Sequence, residues 1–176
     1  MAGGTRTDPV LITGCSSGIG RAAAVGLHQA GLRVYATARR VDTLADLASR
    51  GIATMALDVT DEASMAAAVA AVEAGAGAVG TLINNAGYGL YGPVEQVPMT
   101  EVRRQFETNF FGLVRLTQHV LPGMRERRAA VSSTSPRWAA GPPCPAGPSI
   151  TRPSTRSRRS ATRSGWRSPS SASRSC

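Results

Sequence analysis

The stretch LITGCSSGIGRA, residues 11–22, decides the fold. It follows a short apolar run, PVLIT at 9–13, which reads as a buried strand. Residues 19–30 come next, rich in alanine and stopped by Gly31, which suits a helix. Gly14, Gly18 and Gly20 lie between the two. Glycine at such a junction lets the backbone turn tightly and lets a pyrophosphate approach without meeting a Cβ. The free N–H groups at the helix start then face the phosphates. A glycine trio also occurs in ordinary strand-to-helix turns. Its place after the first strand of an alternating chain favours a dinucleotide site.

The alternation continues outward from that turn. Residues 32–38 and 53–59 read as strands, with helices over 41–50 and 62–73. A fourth strand at 81–87 runs into a turn. A long helix is expected over 100–125, with Val102, Phe106, Phe110, Leu113, Leu116 and Val120 at helical spacing. Strands alternating with helices predict an α/β protein with a doubly wound parallel sheet.

The second strand ends at Ala38, followed by Arg39 and Arg40. An acid there would hydrogen-bond the ribose 2′-hydroxyl of NAD, whereas a guanidinium suits the 2′-phosphate of NADP. A solvated arginine pair is the plain alternative; the expectation is NADP rather than NAD. His28 and His119 read as helix-face residues, and Cys15 receives no chemistry. Cys15, Cys144 and Cys176 show neither a disulfide pattern nor metal-ligand spacing.

The spacing Thr-Gly-x-x-x-Gly-Ile-Gly is joined by Asp58 in LDVT, by Asn84-Asn85-Ala86-Gly87 and by Asn109 in TNFFG. Together these resemble the short-chain dehydrogenase/reductase family over about the first 125 residues. The resemblance implies a Rossmann-like fold in which Gly14, Ser16, Ser17, Gly18, Ile19 and Gly20 hold the cofactor phosphates. It implies that Asp58 and Val59 contact the adenine and that Asn85, Ala86 and Gly87 line the ribose and nicotinamide side. Asn109 would help hold a proton-relay water. On the residues alone, Asp58 reads equally as a cap of the next helix and Asn109 as an ordinary helix polar group. The family moves a hydride between nicotinamide and a carbonyl or alcohol substrate, with a Tyr as proton donor, a Lys four residues later and a Ser. This chain has no lysine, and Tyr35, Tyr88 and Tyr91 all precede the expected position. The Tyr-x-x-x-Lys pair is absent, so the chain as written is expected to be inactive.

Composition breaks near Arg128. Residues 1–128 hold 12 Arg against 11 Asp+Glu, a net +1; residues 129–176 hold 8 Arg and no acid, and the two parts sum to the formal +9. The second part has no Leu, Phe, Tyr, Met, Asp, Glu or Lys. So few apolar side chains cannot offset the entropy of ordering. The expectation is a dinucleotide-binding region over 1–128 and a disordered basic tail over 129–176, with the sheet truncated after the fourth strand and long helix. That fourth strand would then be an exposed apolar edge. Read one base out of frame, permitted codons for 149–168 spell Tyr-His-Ala-Ser-Lys-Tyr-Ala-Val-Glu-Ala-Leu-Ser-Asp-Ala-Leu-Arg-Met-Glu-Val, and those from Ser132 on spell Val-Asn-Val-Ser-Ser-Met-Gly-Gly-Arg. The tail thus reads as out-of-frame translation of the family's catalytic strand and helix, and Ser132 and Ser133 receive no catalytic role. A nucleic-acid-binding arm is the less favoured reading of its arginines. A small carbonyl or alcohol substrate is expected only with the frame restored, and the intact family member could be a homo-oligomer. No signal peptide or membrane span is seen, so a cytoplasmic protein is expected.

Overall fold

A computed structural model describes residues 8–127 and 131–134. Its strands are short, apolar and parallel. β1 (Val10–Ile12) and β2 (Val34–Ala38) are buried along their whole length, as expected of strands covered on both faces. β3 (Ala53–Ala56), β4 (Thr81–Asn84) and β5 (Val131–Thr134) complete the sheet in the order β3-β2-β1-β4-β5. The side-chain period of two sends Leu11 to one face and Val10 and Ile12 to the other. Leu11 packs with Val72, Leu82, Leu116 and Val120, while Val10 and Ile12 pack with Ala24, Leu44 and Leu47. The helices are α1 (Gly18–Gln29), α2 (Ala45–Ser49), α3 (Glu62–Ala76), α4 (Met99–Phe106) and α5 (Gly112–Glu126). One core lies under α3 and α5 and the other under α1 and α2.

Three features depart from the sequence expectations. The sheet does not stop at the fourth strand: β5 pairs with β4 in parallel, with Leu82 opposite Ser132 and Ile83 opposite Ser133. β4 is therefore an interior strand. The helix expected over 41–50 begins as a 3₁₀ turn, Val41–Leu44, before α2. The helix expected over 100–125 is broken by a π turn at Glu107–Phe111. That wider turn shifts the helical phase, so the apolar positions before it do not share a face with those after it. Leu116 and Val120 are buried, whereas Phe106 and Phe110 are each 56% exposed. Apart from 131–134, the tail expected to be disordered lies outside the described residues. Among the described residues no helix is long and apolar enough to cross a membrane.

Candidate functional site

The strand order places β1 between β2 and β4. Connections from β1 and β4 leave in opposite directions, and the crevice between their carboxyl ends is where such sheets bind ligands. Here a cavity of about 770 Å³ opens at that point. Its walls come from the carboxyl end of each neighbouring strand: Gly14 and Ser16 after β1, Ala38 and Arg39 at the end of β2, Asp58 and Val59 after β3, Ala86 and Gly87 after β4. Seven of the twelve expected cofactor residues, counted from that lining, meet there. Ser17, Gly18, Ile19, Gly20 and Asn85 do not line it, nor does Asn109.

The turn after β1 is built by close approach. Gly14 adopts φ +70°, and a Cβ there would lie 2.8 Å from Ala86 Cα, so both conformation and space require glycine. Gly20 is needed for space alone, since a Cβ would meet the Asn85 amide nitrogen. That amide points into the protein. Asn85 is 1% exposed, and its Nδ2 donates to Thr13 O (2.9 Å) and Gly14 O (3.1 Å). The Thr13 hydroxyl accepts from the backbone N–H of both Asn85 and Ala86, each at 2.9 Å. Asn85 therefore braces the glycine turn from behind, and Ala86 and Gly87 face the cavity in its place.

Asp58 folds the loop after β3. Its Oδ1 accepts from the Thr60 N–H (2.9 Å) and hydroxyl (2.7 Å), and its own N–H donates to the Ser64 hydroxyl (3.0 Å). The cap of α3 is Asp61, which accepts from the Ala63 N–H. Asn109 sits in the π turn, and its amide holds Tyr88 at both ends. Oδ1 accepts from the Tyr88 N–H (3.1 Å) and Nδ2 donates to the Tyr88 carbonyl (2.7 Å). Tyr88 itself lines the cavity, and its buried hydroxyl has no partner among the described residues.

The two arginines after β2 part company. Arg40 grips the Asp42 carboxylate with Nε (3.3 Å) and Nη2 (2.7 Å), and this hydrogen bonding holds the Asp42 carboxyl below its usual range. Arg39 makes no ion pair among the described residues and lines the cavity. Sequence reading missed the opposite wall, formed by Tyr88 and by Glu101, Arg103, Arg104, Glu107 and Thr108 of α4 and the π turn. Charges on an amphipathic helix read as a solvated face, and nothing local marked this one as facing a cavity. Burial pushes the Cys15 thiol up to about 11, which fits its lack of assigned chemistry.

A nicotinamide dinucleotide fits these residues. The cavity size suits such a ligand. Gly14 and Gly18 leave the turn without side chains at positive φ, and no acid in the first turn of α1 opposes an anion at its positive end. A parallel sheet in this order, with its glycine turn at the switch point, defines the Rossmann-like class of α/β proteins. Residues 8–134 match the family described as short chain dehydrogenase, and the chain belongs to that family. It is 44% identical to human retinol dehydrogenase 8 over 138 residues, covering 73% of this chain and 43% of that protein. A short-chain dehydrogenase from Streptomyces avermitilis superposes with a TM-score of 0.70 at 40% identity, covering 73% of this chain and 48% of its own. An actinorhodin polyketide ketoreductase with NADPH superposes at 0.68 with 33% identity, covering 74% and 53%. The chain thus spans about half the length of the relatives it matches.

Proposed function

We propose that this chain is the NADP(H)-binding half of a short-chain oxidoreductase, inactive as written. One observation carries the cofactor reading: the cavity at the switch point is walled by Gly14, Ser16, Asp58 and Arg39, which has no ion pair among the described residues, and no acid ends β2. The glycine turn would hold the pyrophosphate, Arg39 the 2′-phosphate, and Asp58 with Val59 the adenine. Ala86 and Gly87 would lie along the nicotinamide side. The NADPH of the ketoreductase neighbour supports the same choice of cofactor. When bound, the nicotinamide supplies or takes up a hydride at a carbonyl or alcohol carbon. Nothing in this chain would exchange the matching proton, because it has no lysine and no tyrosine beyond Tyr91. Asn109 is the remaining family position, and its hydrogen bonds to Tyr88 would set the wall beside the reacting carbon.

The out-of-frame reading of 129–176 belongs to the same proposal, as does a cytoplasmic protein whose small-molecule carbonyl or alcohol substrate binds only once the frame is restored. Self-association fits the exposed Phe106, Phe110 and Phe111 on one helical stretch. The second reading is a non-catalytic nucleotide-binding fragment, favoured by a cavity whose walls need none of the missing catalytic residues.

The test titrates the full 176-residue chain with NADPH and NADH, then assays NADPH oxidation against a panel of aldehydes and ketones. A second chain carries the restored frame. NADPH should bind more tightly than NADH, and only the restored chain should turn over. No NADPH binding would sink the cofactor reading, and turnover by the chain as written would sink the inactivity.

A further inference from the structure

Arg21 leaves the first turn of α1 and reaches back across two loops. Its Nη1 donates to the Ser16 carbonyl at 3.0 Å and to the Thr43 carbonyl at 3.2 Å. Its Nη2 pairs with the Asp46 carboxylate at the start of α2. The Thr43 end is itself closed onto Arg40: the Thr43 hydroxyl donates to the Arg40 carbonyl at 2.6 Å and the Thr43 N–H donates to it at 3.3 Å. Arg40 is further held by Asp42. The segment after β2 is therefore a self-contained turn, and Arg21 bolts its far end to the turn after β1. Ser16 and Arg39 stand on the cavity wall on either side of this bolt.

We propose that Arg21 is a positioning residue for nucleotide selectivity. It fixes the span between the turn that would receive the pyrophosphate and the guanidinium of Arg39 that would receive the 2′-phosphate. The inference rests on the NADP reading above. NAD and NADP share the pyrophosphate and differ only in the 2′-phosphate, so a fixed span between the two anchor points matters for NADP alone. A planar guanidinium can serve two carbonyls and a carboxylate together, which the point charge of an ammonium cannot. Arg21 does not line the cavity.

The experiment uses the full chain as wild type and as Arg21→Ala, Arg21→Lys and Asp46→Asn. NADPH and NADH affinities are measured by calorimetric titration, and backbone amide exchange is followed at residues 15–18 and 40–44 without nucleotide. Arg21→Ala should weaken NADPH by about tenfold more than NADH, the scale of one charge-assisted hydrogen bond held in register. Arg21→Lys should recover little of that ratio. Asp46→Asn keeps both carbonyl bonds and should shift the ratio in the same direction by less. Exchange should quicken in both turns together in Arg21→Ala. Equal losses for the two nucleotides, or quickening in one turn alone, overturn the proposal while leaving the cofactor reading intact. A wild type that prefers neither nucleotide overturns the cofactor reading and the selectivity role with it. Should Arg21→Ala not fold, Arg21→Lys and Asp46→Asn decide, because the Arg21 and Asp46 side chains are 32% and 43% exposed.

Discussion

Replacing Asn85 by alanine should loosen the join between β1 and β4, and its cost can be worked from the contacts. The amide donates to two carbonyls, Thr13 O and Gly14 O, from a residue that is 1% exposed. Alanine leaves both acceptors without that donor, at about 1–3 kcal/mol for each buried group. The Thr13 hydroxyl still holds the N–H groups of residues 85 and 86, so the expected total lies near the lower end, about 2–4 kcal/mol. That is a large share of the roughly 5–15 kcal/mol that stabilises a typical domain. Asn85→Asp is the sharper probe, since it sets an oxygen against two carbonyl oxygens at almost unchanged volume. Burial and repulsion raise the folded pKa of that acid above its ordinary value of about 3.9. Its penalty is therefore smallest in acid and grows by about 1.4 kcal/mol per pH unit above that point, until the folded pKa is reached. Gly20→Ala tests the same packing, because its Cβ would crowd the Asn85 amide and lie 2.6 Å from Gly14 O. The double variant Gly20→Ala/Asn85→Ala should cost at least about 0.5 kcal/mol less than the two single changes summed. Urea unfolding of the full chain followed by circular dichroism supplies the free energies. An Asn85→Ala change within about 0.5 kcal/mol of wild type, or strict additivity with Gly20→Ala, would refute the brace.

Arg39→Ala should weaken NADPH by roughly 10–100-fold with little effect on NADH, as expected for loss of one charged bond to phosphate. Arg40→Ala should leave both affinities nearly unchanged, because its guanidinium is committed to Asp42; titration of each variant reads the difference. Asn109→Ala frees both backbone groups of Tyr88, so amide exchange at residues 88–89 should accelerate and stability fall by about 1–3 kcal/mol. The Cys15 thiol is raised to about 11 in the folded chain. Its contribution is intact below the unfolded thiol range and is lost as pH climbs toward 11, by about 1.4 kcal/mol per unit. Cys15 should accordingly resist alkylation near pH 8 in the folded chain and react after unfolding, read by peptide mass mapping.

Much of this protein was determined by sequence alone because the relevant signals are local. Apolar runs punctuated by glycine mark strands and helices wherever they fall, and the glycine turn at 14–20 needs no tertiary partner to be recognised. The absence of lysine is a property of composition and survives any fold. So does the basic residue that follows Ala38. Tertiary structure alone decided the rest. The order β3-β2-β1-β4-β5 creates the switch point, and it depends on pairings between segments far apart in the chain. Asn85 turns inward because its acceptors lie 71 and 72 residues away, a distance that no local pattern reports. Phe106 and Phe110 fit a buried helical stripe in sequence, yet the π turn swings them outward. The α4 wall and the fifth strand escaped notice for the same reason: local periodicity tells which residues share a face, and only packing tells what that face meets.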